Sequence, residues 1–117
     1  MGEPINANGT EIWTMRRGHG HDVLLIAGLG DPAEAWQPQL DGLSERYLLT
    51  AFDNRAVGRT PLPAEGRLSP TTMADDAAAL LRTLEAPSAH VVGYSMGSAI
   101  AQERPFGTPS SSAASSL

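Results

Sequence analysis

The sequence contains no cysteine, which excludes a disulfide, a thiolate nucleophile and a cysteine-based metal site. Positive charge is scarce: 8 basic residues face 13 acidic ones, and the net charge of −5 argues against nucleic acid or an anionic membrane surface as the main partner. No apolar run approaches the roughly 20 residues of a membrane span. The first residues have neither the basic start nor the apolar core of a secretory leader. We therefore expect a cytoplasmic protein with no membrane or nucleic-acid partner.

What the chain does contain is an alternation of apolar strands and amphipathic helices. Asn8-Gly9 predicts a tight hairpin turn between two short strands, because both residues accept positive φ. Strands are then expected at 23–27, 47–52 and 90–93, and helices begin near residues 31, 72 and 99. Capping boxes at Asp31 and Thr72 mark the first two helix starts, and Pro87 is expected to end the second helix. Strands that alternate with helices imply right-handed crossovers and a mostly parallel sheet with an N-terminal hairpin.

Gly93-Tyr94-Ser95-Met96-Gly97 matches G-x-S-x-G, the pattern of a nucleophile elbow. A serine hydroxyl is a weak nucleophile, so it must be exposed on a sharp turn and placed beside a base. Gly93 and Gly97 leave room for such a turn, and the apolar strand before the motif and the helix after it supply the expected context. The pattern therefore predicts Ser95 as a catalytic nucleophile.

A second glycine-rich turn, Gly28-Leu29-Gly30, follows the first strand that is expected to be parallel. Acyl transfer develops an oxyanion, which two backbone N–H groups commonly stabilise. The amide of Met96, next to the nucleophile, and that of Leu29 are the candidates for this oxyanion hole.

Four stretches together resemble the α/β-hydrolase superfamily, in the branch of esterases, 3-oxoadipate enol-lactonase-like enzymes and haloperoxidase-like proteins. They are residues 23–30 (VLLIAGLG), 52–60 (FDNRAVGRT), the helix that begins with residues 73–76 (MADD), and 90–102 (HVVGYSMGSAIAQ). The resemblance implies the N-terminal portion of an α/β-hydrolase fold over residues 1–104, truncated after the nucleophile elbow. It also implies a serine hydrolase of carboxylic esters or lactones that needs no cofactor and no metal. Residues 105–117, rich in Ser and Pro, are expected to be a disordered tail.

Two departures from the family pattern bear on function. Ala56 stands where the family's loop has a glycine, which adds strain if that position needs positive φ. The family's catalytic acid and histidine follow the nucleophile, whereas Glu103 is the only acidic residue after Ser95 and no histidine follows it. His90 begins the last predicted strand, about 16 Å from Ser95, and His19 and His21 precede the strand at 23–27. All three histidines are therefore expected at the far end of the sheet, as solvated loop residues. We therefore expect this chain to be inactive by itself, marginally stable, and able to self-associate through an unpaired sheet edge.

Two alternatives remain open at the level of sequence. Gly28-x-Gly30-x-x-Ala33 also fits a dinucleotide-binding fingerprint, with Asp53 positioned for a ribose and Arg55 for a 2′-phosphate, which would make the chain an NAD(P)-binding domain. The other alternative is a non-enzymatic fragment.

Overall fold

A five-stranded mixed sheet forms the centre of the protein in a computed structural model, which describes residues 2–27, 30–61, 69–86 and 89–93. The strands are β1 (Gly2–Ala7), β2 (Thr10–Gly18), β3 (His21–Ile26), β4 (Tyr47–Phe52) and β5 (His90–Gly93), in the spatial order β1-β2-β4-β3-β5. The β1–β2 and β2–β4 pairings are antiparallel, and the β3–β4 and β3–β5 pairings are parallel. The hairpin and the parallel strands that the sequence predicted are thus confirmed, although the described sheet is evenly mixed rather than mostly parallel.

The predicted hairpin turn is present and exact in position. Asn8 and Gly9 have φ of 51° and 76°, as a two-residue turn between twisted strands requires. Both strands extend beyond their apolar residues, because β1 pairs with β2 from Gly2 onward and β2 pairs with β4 as far as Gly18. Main-chain hydrogen bonds to neighbouring strands therefore extend both strands of the hairpin beyond their hydrophobic residues.

The first predicted helix forms, but its predicted capping box does not. A 3₁₀ helix spans Ala33–Trp36 and leads into α1 (Gln37–Leu43), with no side-chain cap at the start of either. The backbone N–H of Ala33 donates instead to the carboxylate of Asp53 at 2.6 Å. Asp53, twenty residues further along the chain, therefore accepts the hydrogen bond that the sequence predicted for a local capping residue.

The second predicted helix, α2 (Pro70–Thr83), begins two residues before Thr72. Ser69 is its N-cap, and the Ser69 hydroxyl accepts from the backbone N–H of Thr72 at 3.2 Å. The helix ends before Pro87, because Glu85 adopts a φ of 57° and the N–H of Ala86 bonds back to the carbonyl of Leu81. This is the Schellman arrangement, which is usually built with glycine at the left-handed position.

The two faces of the sheet carry separate apolar clusters. On one face α2 packs against β-strand residues, and on the other the 3₁₀ helix and α1 contribute Trp36 and Leu40. Leu43, the last residue of α1, is 41% exposed. The strand residues in the α2 cluster are Ala7, Ile12, Leu24, Ile26, Phe52 and Val91, and those in the α1 cluster are Met15, Val23, Leu25, Leu49 and Ala51.

Candidate active site

The carboxyl ends of three parallel strands meet at one edge of the sheet. In the register of the sheet, Ile26 at the end of β3 lies beside Gly93 at the end of β5, and Leu25 lies beside Ala51 near the end of β4. In open α/β sheets this edge is where ligands bind, because the loops that leave the strands converge there. In the sequence, one glycine-rich motif follows β3 and the other begins at Gly93, the last residue of β5.

Of the residues predicted for the site, only Gly93 belongs to the part of the chain that the structure describes. It is the buried last residue of β5. Ser95, Met96, Gly97 and Leu29 lie outside the described residues, as do Gly28, the predicted third helix and residues 105–117. The structure therefore describes the strands that lead to both motifs, and the predicted roles of the nucleophile and the oxyanion amides stay predictions.

Asp53 joins the loops that leave β4 and β3. Its side chain is fully buried, and both of its oxygens accept backbone N–H groups: Oδ1 from Ala33 at 2.6 Å and Oδ2 from Arg59 at 2.9 Å. A Cβ added to Gly58 would lie 2.3 Å from Oδ2, so only glycine lets the loop close on this carboxylate. Ala33 comes four residues after Leu29, and Asp53 therefore anchors the segment that follows the predicted oxyanion loop.

Arg55 and Asp76 form a buried bidentate ion pair between the β4 loop and α2. Arg55 Nε donates to Oδ2 of Asp76 at 2.6 Å, and Nη2 donates to Oδ1 at 2.8 Å. The Asn8 amide also donates to Oδ1, at 2.7 Å, and this links the hairpin turn to the same carboxylate. The hydrogen bonds to Asp76 raise the pKa of Arg55 above its ordinary value. Asp76 is only 2% exposed, and it joins the hairpin turn, the β4 loop and α2.

Ala56, the residue that departs from the family pattern, lies in a tight turn over residues 54–57. The N–H of Val57 bonds to the carbonyl of Asn54 at 2.9 Å, and Ala56, the third residue of the turn, has a φ of 66°. A turn of this kind favours glycine at that position. The predicted strain at Ala56 is therefore present.

Asn54 has a second unusual feature. Its side chain is 1% exposed, yet neither its nitrogen nor its oxygen has a hydrogen-bond partner among the described residues. Buried amides are nearly always bonded, so this side chain is an exception that calls for a partner or a functional reason.

The guanidinium of Arg59 lies on the outer side of the loops that surround Asp53. Nη1 of Arg59 lies 3.0 Å from Oε2 of Glu34 and 4.0 Å from Oδ2 of Asp53, and the guanidinium stands 4.6 Å above the ring of Trp13. The pKa of Glu34 is lowered from its ordinary value, first by a hydrogen bond from its own backbone N–H and further by Arg59. The ion pair between Arg59 and Glu34 is exposed on both sides, and such a pair contributes little to stability.

The histidines lie at the opposite end of the sheet, as predicted. His21 is the first residue of β3 and His90 the first of β5, so both belong to strands rather than to solvated loops, while His19 lies in the exposed turn before β3. Because β3 and β5 run parallel, the two strand histidines share the amino-terminal edge. Neither is a base for chemistry at the carboxyl edge.

The structure argues against the hypothesis of a dinucleotide-binding site, because the two side chains expected to bind the ribose and the 2′-phosphate have other partners. Both carboxylate oxygens of Asp53 accept hydrogen bonds from backbone N–H groups, one from Ala33 and one from Arg59. Arg55 forms a buried ion pair with Asp76. Neither side chain can hold a ribose or a phosphate, so this hypothesis is not favoured. Among residues 2–27, 30–61, 69–86 and 89–93, no cluster of three or more His, Asp or Glu side chains could hold a metal ion, and no helix is long and apolar enough to cross a membrane.

A central sheet ordered β1-β2-β4-β3-β5, with a strand leading directly into G-x-S-x-G, defines an α/β protein of the hydrolase type. The family model for the α/β hydrolase fold matches residues 23–103, which is most of the chain. The protein belongs to the α/β-hydrolase family.

Individual relatives agree with this assignment. The "Putative non-heme bromoperoxidase BpoC" of Mycobacterium tuberculosis is 46% identical over 88 residues, which are 74% of this chain and 33% of the relative. The solved structure of an esterase from Exiguobacterium antarcticum superposes with a TM-score of 0.79 at 31% identity, over 86% of this chain and 38% of the esterase. The enol-lactonase from Burkholderia xenovorans LB400 gives 0.77 at 27% identity, over 83% and 38%. The chain thus spans about a third of the length of the proteins it matches.

Proposed function

We propose that this chain supplies the nucleophile and the oxyanion-binding half of a serine hydrolase that cleaves carboxylic esters or lactones through an acyl-enzyme at Ser95. The observation that carries the proposal is the pairing of Ile26 with Gly93, because Leu29 follows the first by three residues and Ser95 follows the second by two. The strands that lead into these two motifs, which are far apart in sequence, thus end side by side at the same edge of the sheet. The names of the esterase and the enol-lactonase, both structural neighbours of this chain, support the substrate class.

The proposed reaction has two stages, acylation of Ser95 and hydrolysis of the acyl-serine. The Ser95 oxygen attacks the carbonyl carbon, its proton passes to a base, and the amides of Leu29 and Met96 bind the resulting oxyanion. The intermediate collapses with release of the alcohol, which takes up the proton, and water then hydrolyses the acyl-serine with the same base. In a lactone the released alcohol remains attached to the acyl group.

The base is the part that the described residues do not supply. A general base must come within about 3 Å of the hydroxyl that it deprotonates. His21 and His90 begin their strands at the edge opposite to Gly93. We therefore propose that the 117-residue chain by itself does not turn over esters.

Covalent labelling tests the role of Ser95 independently of turnover. The chain is treated with a fluorophosphonate, with and without added imidazole as an external base, and the adducts are mapped by mass spectrometry. We expect labelling at Ser95 that imidazole accelerates and that Ser95→Ala abolishes, while Ser98→Ala, three residues away in the same segment, leaves it unchanged. Equal labelling of Ser95 and Ser98, or none at Ser95 with imidazole, would contradict the proposal. Sustained hydrolysis of p-nitrophenyl butyrate that Ser95→Ala abolishes would contradict only the proposed inactivity.

We also propose that the chain self-associates through β5. Among the described residues β5 pairs with β3 alone and is the last strand of the sheet, so another strand can add to its other edge. Sedimentation velocity over a hundredfold concentration range should show association. A monomer throughout that range would contradict this proposal and leave the one on Ser95 untouched.

A further inference from the structure

Two histidine rings meet at the amino-terminal edge of the sheet, opposite to the edge at which β5 ends with Gly93. The ring centres of His21 and His90 are 4.6 Å apart, and the ring planes are inclined by 55°. His90 pairs with Val23 in the β3–β5 register, so His21 stands on the same face of the sheet, two residues earlier on the neighbouring strand. Two paired strands therefore hold the rings together, rather than mobile loops.

The separation of the rings suits one metal ion shared between them. With a metal–nitrogen bond of about 2.1 Å, each ring centre would stand about 3.2 Å from the ion. Two such rings at a right angle around the ion have centres about 4.5 Å apart, and at a tetrahedral angle about 5.2 Å. The observed 4.6 Å lies within this interval.

Access and charge are also favourable. His21 is exposed and His90 is half-buried, so an ion can reach both rings from solvent and complete its coordination with water. The protein carries a net charge of −5, which favours cations over anions at its surface. Imidazole nitrogens suit zinc, copper and nickel, whereas calcium and magnesium prefer oxygen ligands.

We propose that His21 and His90 form a two-histidine site for a late first-row divalent cation, with zinc, nickel or copper as the chemical class. The bound ion would link β3 to β5 at the edge of the sheet opposite to Gly93. Its role is to bind the ion and tie the two strands together, and it takes no part in ester chemistry. The proposal stands whether or not Ser95 is a nucleophile.

Calorimetric titration of the metal-free 117-residue chain with Zn²⁺ and with Ni²⁺ tests the site. We expect one equivalent to bind, and His21→Gln or His90→Gln to weaken the affinity about tenfold or more. The matched control is His19→Gln, which removes an exposed histidine two residues from His21 and should change the affinity by less than about twofold. Glutamine keeps the side chain polar and similar in size, so the fold should survive.

A second measurement uses only the wild-type protein and so does not depend on whether a variant folds. Nitrogen-detected NMR of the wild-type imidazoles should show the His21 and His90 rings shifting together at one equivalent of Zn²⁺, with His19 unaffected. Several outcomes would overturn the proposal: no binding at millimolar metal, unchanged affinity in His21→Gln, an equal loss in His19→Gln, or coordination by the terminal amine only.

Discussion

Ala56→Gly should stabilise this protein, because the native residue occupies a backbone conformation that suits glycine. Ala56 has a φ of 66° in the turn that leaves β4. The left-handed region costs a residue with a Cβ about 1–2 kcal/mol. Glycine removes that strain, but it adds about 0.4–1 kcal/mol of unfolded-state entropy. The expected net gain is about 1 kcal/mol in the free energy of unfolding, or about 4 °C in Tm for a domain of this size.

The assay is urea and thermal unfolding of the wild type beside two matched variants. Gly30→Ala makes the reverse change: Gly30 has a φ of 75° and an added Cβ would meet nothing within 4 Å, so the variant measures the backbone term without a clash. It should lose about 1 kcal/mol. Glu85→Gly relieves a second left-handed residue, at the end of α2, and should gain a similar amount. If Gly30→Ala loses stability while Ala56→Gly gains none, the strain argument for Ala56 is wrong.

Three further predictions concern buried and exposed polar groups. Asp76→Asn removes the carboxylate charge that is bonded to the buried guanidinium of Arg55 and should cost about 3 kcal/mol, whereas Asp75→Asn, at the exposed neighbouring residue, should cost less than about 0.5 kcal/mol. Equal losses in urea unfolding would refute a special role for the ion pair. Asn54→Leu should raise stability by about 1 kcal/mol because the buried amide is unbonded among the described residues, and a loss of similar size would show that it has a partner elsewhere. The pKa of Glu34 is lowered in the folded state, so its stabilisation is present above the unfolded pKa and is lost as the pH falls through the folded one. The stability difference between wild type and Glu34→Gln should therefore shrink on acidification, and a difference that grows would reverse the sign of this argument.

Most of the elements could be predicted from the sequence because their signals are local. The hairpin turn follows from the tolerance of Asn8-Gly9 for positive φ, and β4 follows from one apolar run whose bounds the structure reproduces. The family assignment rests on motifs that are contiguous in the chain. The capping boxes failed for a different reason. The donor at the first helix start is paired by Asp53, a tertiary contact, and the second helix is capped by Ser69 instead of Thr72.

Roles of single acids were harder to predict than elements. Asp75 and Asp76 are adjacent on one helix and look equivalent in sequence, yet one is exposed and the other is buried against Arg55. Which of them faces inward depends on the rotation of α2 over the sheet. The signal that could have found Asp76 is its place among the apolar residues of α2, one residue before Ala77.

The sequence by itself determined the class of fold, the order of its strands and helices, and the serine that the family motif singles out, because these depend on periodicity and on contiguous residues. Only the tertiary structure decided what lies beside what. It joined Asp53 to the segment after β3, Arg55 to Asp76, and His21 to His90, pairs separated by 20 to 69 positions in the chain. Such pairings follow from the register of the sheet and the packing of α2, and no local pattern encodes them.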